Sequence, residues 1–212
     1  RSTLFPYTTL FRSLELDSLG RTYTLDAAEI PGGRGDGVPV SSLIELQNGA
    51  KPVAMLTGQP EQHYLLSGSG GYGFITKLAD MVGRVKAGKV VMTVDSGETV
   101  LPPIAVYASS LINPDCKIVL ASSDHRLLAF SIGELKVMSK GRGLQLMSLT
   151  DGASLEHVLV TTSEEFIVET VGKRGAAHQE KLRICDIDGK RGKKGKVLDV
   201  SGRLKTLSAA SA

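Results

Sequence analysis

The sequence predicts an all-β protein, a β-propeller of about four blades, each a four-stranded antiparallel sheet. Two observations predict β structure: the chain contains 24 glycines and 8 prolines, and apolar residues rarely recur at helical spacing over ten or more positions. The third observation is an internal repeat of about 50 residues, a period typical of propeller blades and longer than that of solenoids. With 212 residues, the chain is long enough to bury a core as one domain.

The clearest copy of the repeat spans residues 64–94 and reads YLLSGSGGYGFITKLADMVGRVKAGKVVMTV. Residues 64–76 predict a β-hairpin, because two strand-forming runs flank glycines that permit a positive φ. A basic turn at 84–89 then leads into a β-branched strand at 90–94. The repeat is therefore a hairpin followed by a basic turn and a strand.

Three weaker copies complete the pattern. The first begins at Leu14 and has residues 33–37, GRGDG, in the place of the basic turn. The third spans residues 117–149 and the fourth residues 166–200. We therefore predict one blade for each copy.

The alignment of the copies also predicts a register. Leu66 of the second copy aligns with Leu120 of the third, and Phe74 aligns with Leu128. We therefore expect these residues to face the core from equivalent strand positions. Apolar stretches between the copies are expected to complete each blade. They lie at residues 52–56, 104–107 and 157–160.

The two ends of the chain depart from the repeat. Residues 3–13 can be back-translated without a mismatch into a short-read sequencing adapter, so we interpret residues 1–13 as an adapter-derived, disordered segment. The propeller domain is expected to span residues 14–205, and the native protein to extend upstream of Leu14. Residues 206–212 are mostly small and predict a disordered tail.

Positive charge accumulates toward the end of the chain. The net charge is +3, but from residue 166 onward 11 Lys and Arg residues oppose only 5 Asp and Glu residues. Basic turns that recur at matching places favour binding of phosphates, although a solvated loop face would explain any one of them. The candidate contacts are Arg84, Lys86, Lys89, Lys140, Arg142, Lys173, Arg174, Lys190, Arg191, Lys193, Lys194 and Lys196.

Other candidate sites are excluded by their context. The glycine-rich residues 68–73, GSGGYG, lead into a strand and lack a following Lys-Ser/Thr, so they predict a turn and not a phosphate cradle. The four histidines and two cysteines lack metal-ligand spacing, which predicts free thiols and no metal site. No apolar run approaches the length of about 18 residues that a membrane span needs.

Four stretches carry a family resemblance: DSLGRTYTL, LLSGSGGYGFITKLADMVGRVKAGKVVMTV, SKGRG and VGKRG…GKKGKVL. In this order and spacing, they resemble the C-terminal β-propeller domains of the family formed by bacterial gyrase A and the A subunit of DNA topoisomerase IV, over residues 14–205. The second stretch is the most specific, because the GYGF hairpin and the basic AGK turn occur together. The resemblance implies a pinwheel-type propeller with about one more blade upstream.

One departure from the family pattern bears on the function. Gyrase A tails carry a Gln-Arg-Arg-Gly-Gly-Lys-Gly box that is associated with strong DNA wrapping, whereas residues 140–143 and 190–195 are degenerate versions of it. The resemblance therefore favours the topoisomerase IV branch, and it implies binding and bending of duplex DNA without sequence preference. A gyrase-like wrapping domain is one alternative, and a propeller that serves only as a protein-interaction scaffold is another.

The resemblance also implies a larger assembly. Enzymes of this family act as two A and two B subunits, and they use ATP and Mg²⁺ to decatenate replicated chromosomes and relax supercoils. None of Tyr23, Tyr64, Tyr72 and Tyr107 stands in the arginine-tyrosine context of the family's cleavage domain, so we expect this chain to be non-catalytic and to hold no cofactor. The implied location is the cytoplasm, at the nucleoid, with peripheral inner-membrane association left open.

Overall fold

Four antiparallel sheets follow one another along the chain, and the predicted fold class is confirmed. The structure, a computed structural model, describes residues 12–25, 38–172, 175–198 and 202–210. Within these ranges, the first three sheets have four strands each and the fourth has three. We refer to them as the first to fourth blades.

Each blade is built on a hairpin. The hairpins are β1 (Arg12–Asp17) with β2 (Arg21–Leu25), β4 (His63–Ser67) with β5 (Tyr72–Lys77), β8 (Lys117–Ser122) with β9 (Arg126–Ser131), and β12 (Glu165–Val171) with β13 (Ala177–Arg183). A third strand pairs with the first strand of each hairpin: β3 (Pro52–Gly58), β7 (Ile104–Val106), β11 (Leu155–Thr161) and β15 (Arg203–Ala209). The prediction that the stretches between the copies complete the blades is thus confirmed.

The fourth strand of a blade comes from the next sequence repeat. Strand β6 (Lys89–Val90) follows the hairpin of the second blade, yet it pairs with β2 of the first blade. In the same way β10 (Leu144–Gln145) pairs with β5, and β14 (Lys196–Val197) pairs with β9. The strand predicted at 90–94 is therefore corrected: it comprises Lys89–Val90, and it belongs to the preceding blade, where it pairs along the edge of β2.

Hydrophobic clusters join successive blades face to face. Leu14 and Leu16 of the first blade pack with Leu66 and Phe74 of the second, and all four side chains are fully buried. Equivalent clusters connect the second blade with the third and the third with the fourth. Because alternate residues of a strand point to opposite faces, the central blades are buried on both faces and their strands read as continuous apolar runs.

The register predicted from the alignment is confirmed. Leu66 lies opposite Phe74 in the second blade, and Leu120 lies opposite Leu128 in the third. All four are at most 2% exposed. The two hairpins therefore present equivalent faces to the blade before them.

The predicted chain ends need two corrections. Strand β1 begins at Arg12, because the backbone of residues 12 and 13 continues the pairing with β3. The tail expected to be disordered from residue 206 instead forms part of β15, which pairs with β12 as far as Ala209. The expectations for residues 1–11 and 211–212 concern positions outside the described residues.

A β-bulge in β15 breaks the alternation of apolar and polar residues by which a strand is recognised in a sequence. Leu204 pairs with Thr170 and Thr206 pairs with Glu169, so Lys205 is an extra residue in this strand. Leu204 and Leu207 consequently reach the same core although they are three residues apart, whereas a regular strand would need an even spacing.

Helical segments are short in the described residues. They comprise α1 (Leu78–Met81), α2 (Ala108–Ile112) and three 3-10 turns at Val40–Ser42, Ile132–Glu134 and Ile184–Asp186. In the part of the chain that the structure describes, no helix has the length and apolarity needed to cross a bilayer.

Glycines allow the exchanged strands to dock. Gly143 precedes β10 with a φ of +87°, and a Cβ there would lie 2.4 Å from the carbonyl oxygen of Gly73 on β5. Gly195 stands in the same relation to β9, since its Cβ would lie 2.5 Å from the Leu127 carbonyl oxygen. Both the backbone conformation and the close approach require glycine at these positions.

Two buried carboxyl groups lie on the outer face of the first blade. Asp17 is fully buried, and it accepts hydrogen bonds from the Leu19 and Arg21 amides, at 3.0 and 2.8 Å, and from the Tyr23 hydroxyl at 2.9 Å. Glu15 is 4% exposed. Its burial, and secondarily the charge of Asp17, raise the pKa of the Glu15 carboxyl above its usual 4.5.

Truncation of Phe74 tests the packing between the first two blades. Phe74→Ala should lower the free energy of unfolding by about 3–5 kcal/mol, because it removes a fully buried ring and leaves a cavity. Urea denaturation measures the loss. Val85→Ala, at a side chain that is 62% exposed, is the control and should change stability by less than about 0.5 kcal/mol. Equal effects of the two changes would contradict the packing.

The Glu15 carboxyl makes stability depend on pH. Because its pKa is higher in the folded chain, the folded state binds this proton more tightly, and stability falls as the pH rises from 4.5 through the folded pKa. Glu15→Gln should therefore raise the midpoint temperature of unfolding at pH 7, and this midpoint should depend less on pH above pH 4.5. Thermal denaturation at several pH values checks this, with the exposed Glu164→Gln as a control that should show neither change.

Substitutions at Gly97 and Gly143 distinguish the cost of backbone strain from the cost of blocking the docking of β10. Gly97 has a φ of +85°, close to that of Gly143, but no atom lies within 4 Å of the place of its Cβ. Gly97→Ala should cost about 1 kcal/mol of strain. Gly143→Ala should cost at least about 2 kcal/mol more, because its methyl group collides with the β5 backbone. Equal shifts in urea midpoint would show that β10 does not need this close approach.

Candidate nucleic-acid interface

The predicted basic residues lie mainly in three turns that precede the exchanged strands. We name residues 84–89, 140–143 and 190–196 the first, second and third basic turns. Each docks beside the second hairpin strand of the preceding blade through β6, β10 or β14. The corresponding turn of the first repeat, at 33–37, lies outside the described residues.

Main-chain hydrogen bonds connect the turns into a row. Gly141 of the second turn donates its amide to the Val91 carbonyl at 2.9 Å, and its own carbonyl accepts from the Thr93 amide at 3.0 Å. Lys193 of the third turn accepts from the Ser148 amide at 3.0 Å. The segment that follows one turn thus holds the next one, and we call the three linked turns the basic row.

Six predicted residues of the basic row are exposed and carry an uncompensated charge. Their side chains form no ion pair or hydrogen bond with another residue in the part of the chain that the structure describes. Their charges are therefore available to an external anion. They are Arg84, Lys86, Lys140, Lys190, Lys193 and Lys194.

Three more predicted residues use their side chains to hold the turns. These cations donate to main-chain carbonyl oxygens, which carry no net charge, so their positive charge remains. The contacts are Lys89 to Asp80 at 2.5 Å, Lys196 to Asp186 at 2.5 Å and Arg191 to Gln145 at 2.7 Å.

Arg142, in the second turn, has a different environment. Its guanidinium forms ion pairs with Asp95 at 2.7 Å and with Glu98 at 3.3 Å. It also lies over the ring of Tyr72, 3.9 Å from the centroid, which is within cation–π distance. Of the predicted row residues, Arg142 is thus the one whose charge is locally compensated in the described structure.

The remaining two predicted residues, Lys173 and Arg174, lie outside the described residues. In the sequence they fall between β12 and β13 and not in one of the three basic turns. The hairpin is closed beside them, since the Gly172 amide donates to the Ala176 carbonyl at 2.9 Å.

Two arginines that support the row were missed by the sequence analysis. Arg21 donates to the carbonyl oxygens of Ala87 and Gly88, at 2.9 and 3.1 Å, and Arg126 donates to that of Gly195 at 3.4 Å. Both are the first residue of the second hairpin strand. Each follows a turn residue that has a positive φ in the structure, but the carbonyl that each contacts is 66 to 69 positions away, so the sequence alone does not pair them.

The charges and geometry of the row suit a polyanion. Lysine ammonium groups act as point charges, and several that are held along one row can neutralise neighbouring phosphates together. Docking fixes the main chains of the turns, while the side chains of the six exposed cations stay free to adjust. This arrangement can position a phosphate backbone, and it needs no contact with base edges.

Comparisons with known proteins agree with the predicted resemblance. No family model matches the chain. The chain is 71% identical to the A subunit of DNA topoisomerase 4 from Neisseria gonorrhoeae over 190 residues, which cover 90% of this chain and 25% of the relative. It therefore spans about a quarter of the length of the curated relatives that it matches.

Solved structures show the same relationship. The chain matches the C-terminal domain of E. coli ParC with a TM-score of 0.82 and 25% identity, over 95% of this chain and 81% of that domain. The DNA gyrase A C-terminal domain gives a TM-score of 0.69 at 19% identity, over 96% of this chain and 67% of that one, and thus shares the fold. The chain is accordingly homologous to the C-terminal region of the DNA topoisomerase IV A subunit, and it has the fold of the C-terminal domains of that protein and of gyrase A.

Proposed function

We propose that this chain binds duplex DNA without sequence preference along the basic row and bends it, as the C-terminal domain of a topoisomerase IV A subunit. The observation that carries the proposal is the row of six exposed cations without a described partner, held at equivalent positions on three successive blades. Recurrence on a common scaffold distinguishes these residues from isolated surface lysines.

Phosphate contacts of this kind make binding depend on salt. Each neutralised phosphate releases counterions and contributes about −0.9 to the slope of log K against log salt. Six contacts would give a slope of about −5, so affinity would fall steeply between low and physiological salt. Because the cations project from turns and not from an element shaped for a groove, affinity should be nearly independent of base sequence.

Bending follows from the arrangement of the row. Sheets that pack face to face lie about 10 Å apart and are rotated against one another, so turns on three successive blades do not lie on a straight line. A duplex that contacts all three turns has to curve. Elastic bending of a short site costs about 1–6 kcal/mol, which the additional phosphate contacts can offset.

The longer protein would place this interface beside a DNA gate. We infer that the domain holds and bends the transported duplex, within an assembly of two A and two B subunits that decatenates chromosomes and relaxes supercoils. ATP and Mg²⁺ would act in other parts of that assembly. The 71% identity to the A subunit of a topoisomerase IV supports this assignment.

Neutralising the third basic turn tests the proposal. The variant Lys190→Gln/Lys193→Gln/Lys194→Gln should flatten the slope of log K against log salt by up to about 2.7, because three phosphate contacts are lost. It should also reduce bending, measured by energy transfer between the labelled ends of a duplex of about 30 base pairs. Fluorescence anisotropy at several salt concentrations gives the affinities, and circular dichroism checks the fold.

Three lysines outside the row provide the matched control. Lys77, Lys181 and Lys205 each form an ion pair with a neighbouring carboxylate. Their joint change to Gln removes the same charge, yet it should leave the slope nearly unchanged.

If the unaltered chain does not bind DNA at low salt, the proposal fails and a protein-interaction scaffold becomes the better interpretation. If it fixes chiral wraps in relaxed circular DNA, a gyrase-like wrapping domain is the better one.

A further inference from the structure

The second basic turn differs from its neighbours in how it is held. In the first and third turns, hairpin arginines donate to main-chain carbonyl oxygens. In the second blade the equivalent position is Tyr72, and the contact is reversed: the turn supplies Arg142, which lies over the Tyr72 ring. Two carboxylates complete the environment of Arg142, and no other predicted cation of the basic row forms an ion pair among the described residues.

The carboxylates are held in place by the fold. They lie in the loop that connects β6 with β7, and the Thr93 hydrogen bond to Gly141 fixes this loop beside the second turn. Glu98 also accepts a hydrogen bond from the Asp95 amide at 3.1 Å. A Cβ at position 70 would lie 1.9 Å from a Glu98 carboxylate oxygen, so Gly70 leaves the room that this carboxylate occupies.

Only one of the two cations of the second turn is compensated. Asp95 and Glu98 pair with Arg142, whereas Lys140 is exposed and pairs with no described carboxylate. The guanidinium presents its donors to carboxylate oxygens in the manner in which it would contact a phosphate. A phosphate that approached Arg142 would have to displace these partners, and it would be repelled by them.

We propose that Asp95 and Glu98 occupy Arg142 as an internal substitute for a DNA phosphate, so that the second turn contacts the duplex through Lys140 alone, between the contacts of the first and third turns. This inference rests on the proposed function, and it makes Arg142 a positioning residue. It also assigns Asp95 and Glu98 a role in limiting affinity. The predicted phosphate contact of Arg142 would then arise only when the carboxylates are neutralised.

Two variants test the proposal by salt dependence. Asp95→Asn/Glu98→Gln removes both negative charges and releases Arg142, so the slope of log K against log salt should steepen by about 0.9, with tighter binding at low salt. Adding Arg142→Gln to this variant should return the slope to the wild-type value. The probe is a fluorescent duplex of about 30 base pairs of arbitrary sequence, titrated between about 50 and 200 mM salt.

A remote pair of carboxylates provides the control. Asp115 and Glu164 are exposed, they stand just before β8 and β12, and neither forms an ion pair with a cation of the basic row among the described residues. Asp115→Asn/Glu164→Gln makes the same change in net charge, and it should leave the slope unaltered.

Three outcomes would overturn the inference. First, the Asp95→Asn/Glu98→Gln variant could have the wild-type slope of log K against log salt. Second, its steeper slope could persist after Arg142→Gln is added. Third, the Asp115→Asn/Glu164→Gln control could show an equally steep slope. Each would show that the carboxylates do not withhold Arg142 from DNA. Failure of the wild-type chain to bind DNA at all is distinguishable from these outcomes, because it overturns the proposed function itself.

Discussion

Exchange of the fourth strand between neighbouring blades is the constraint on which the rest of this structure depends. Each exchanged strand is only two residues long, so it contributes few hydrogen bonds, but its position fixes the basic turn before it and the loop after it. The exchange also makes neighbouring blades interdependent, because each of the first three sheets is completed by the chain of the next repeat. Hydrophobic packing between blade faces and strand exchange at their edges therefore stabilise the same interfaces.

In the basic turns, the backbone completes the sheet and the side chains supply the charge. The backbone closes the sheet through a glycine with positive φ, which packs too closely against the neighbouring strand for any other residue. The side chains of the six exposed cations form no ion pair or hydrogen bond with another described residue that would hold the fold. Charge can consequently differ from turn to turn without altering the scaffold, from RVKAGK in the second repeat to KRGKKGK in the fourth. The compensated second turn is a case in which the same scaffold carries an arginine whose charge is balanced locally.

Much of the fold could be predicted because its signals are local. The hairpins follow from strand-forming runs around turn residues, and the alignment of Phe74 with Leu128 gave the correct register because both hairpins present equivalent faces. Other features depend on distant partners. The exchanged strands pair with residues 67 to 73 positions away, and a bulge in β15 conceals the spacing of Leu204 and Leu207. The same limit applies to the interface, where Arg21 and Arg126 hold turns that are remote in sequence.

The sequence by itself determined the all-β class, the repeat, the family resemblance and the basic residues of the turns, since composition, periodicity and motif spacing are properties of the chain alone. Only the tertiary structure decided to which blade each exchanged strand belongs, how the turns are linked into a row, and which charges remain available. The reason is that pairing and charge compensation depend on distances between residues far apart in sequence. Arg142 illustrates this, because its motif is the same as that of a free cation and only the positions of Asp95 and Glu98 distinguish it.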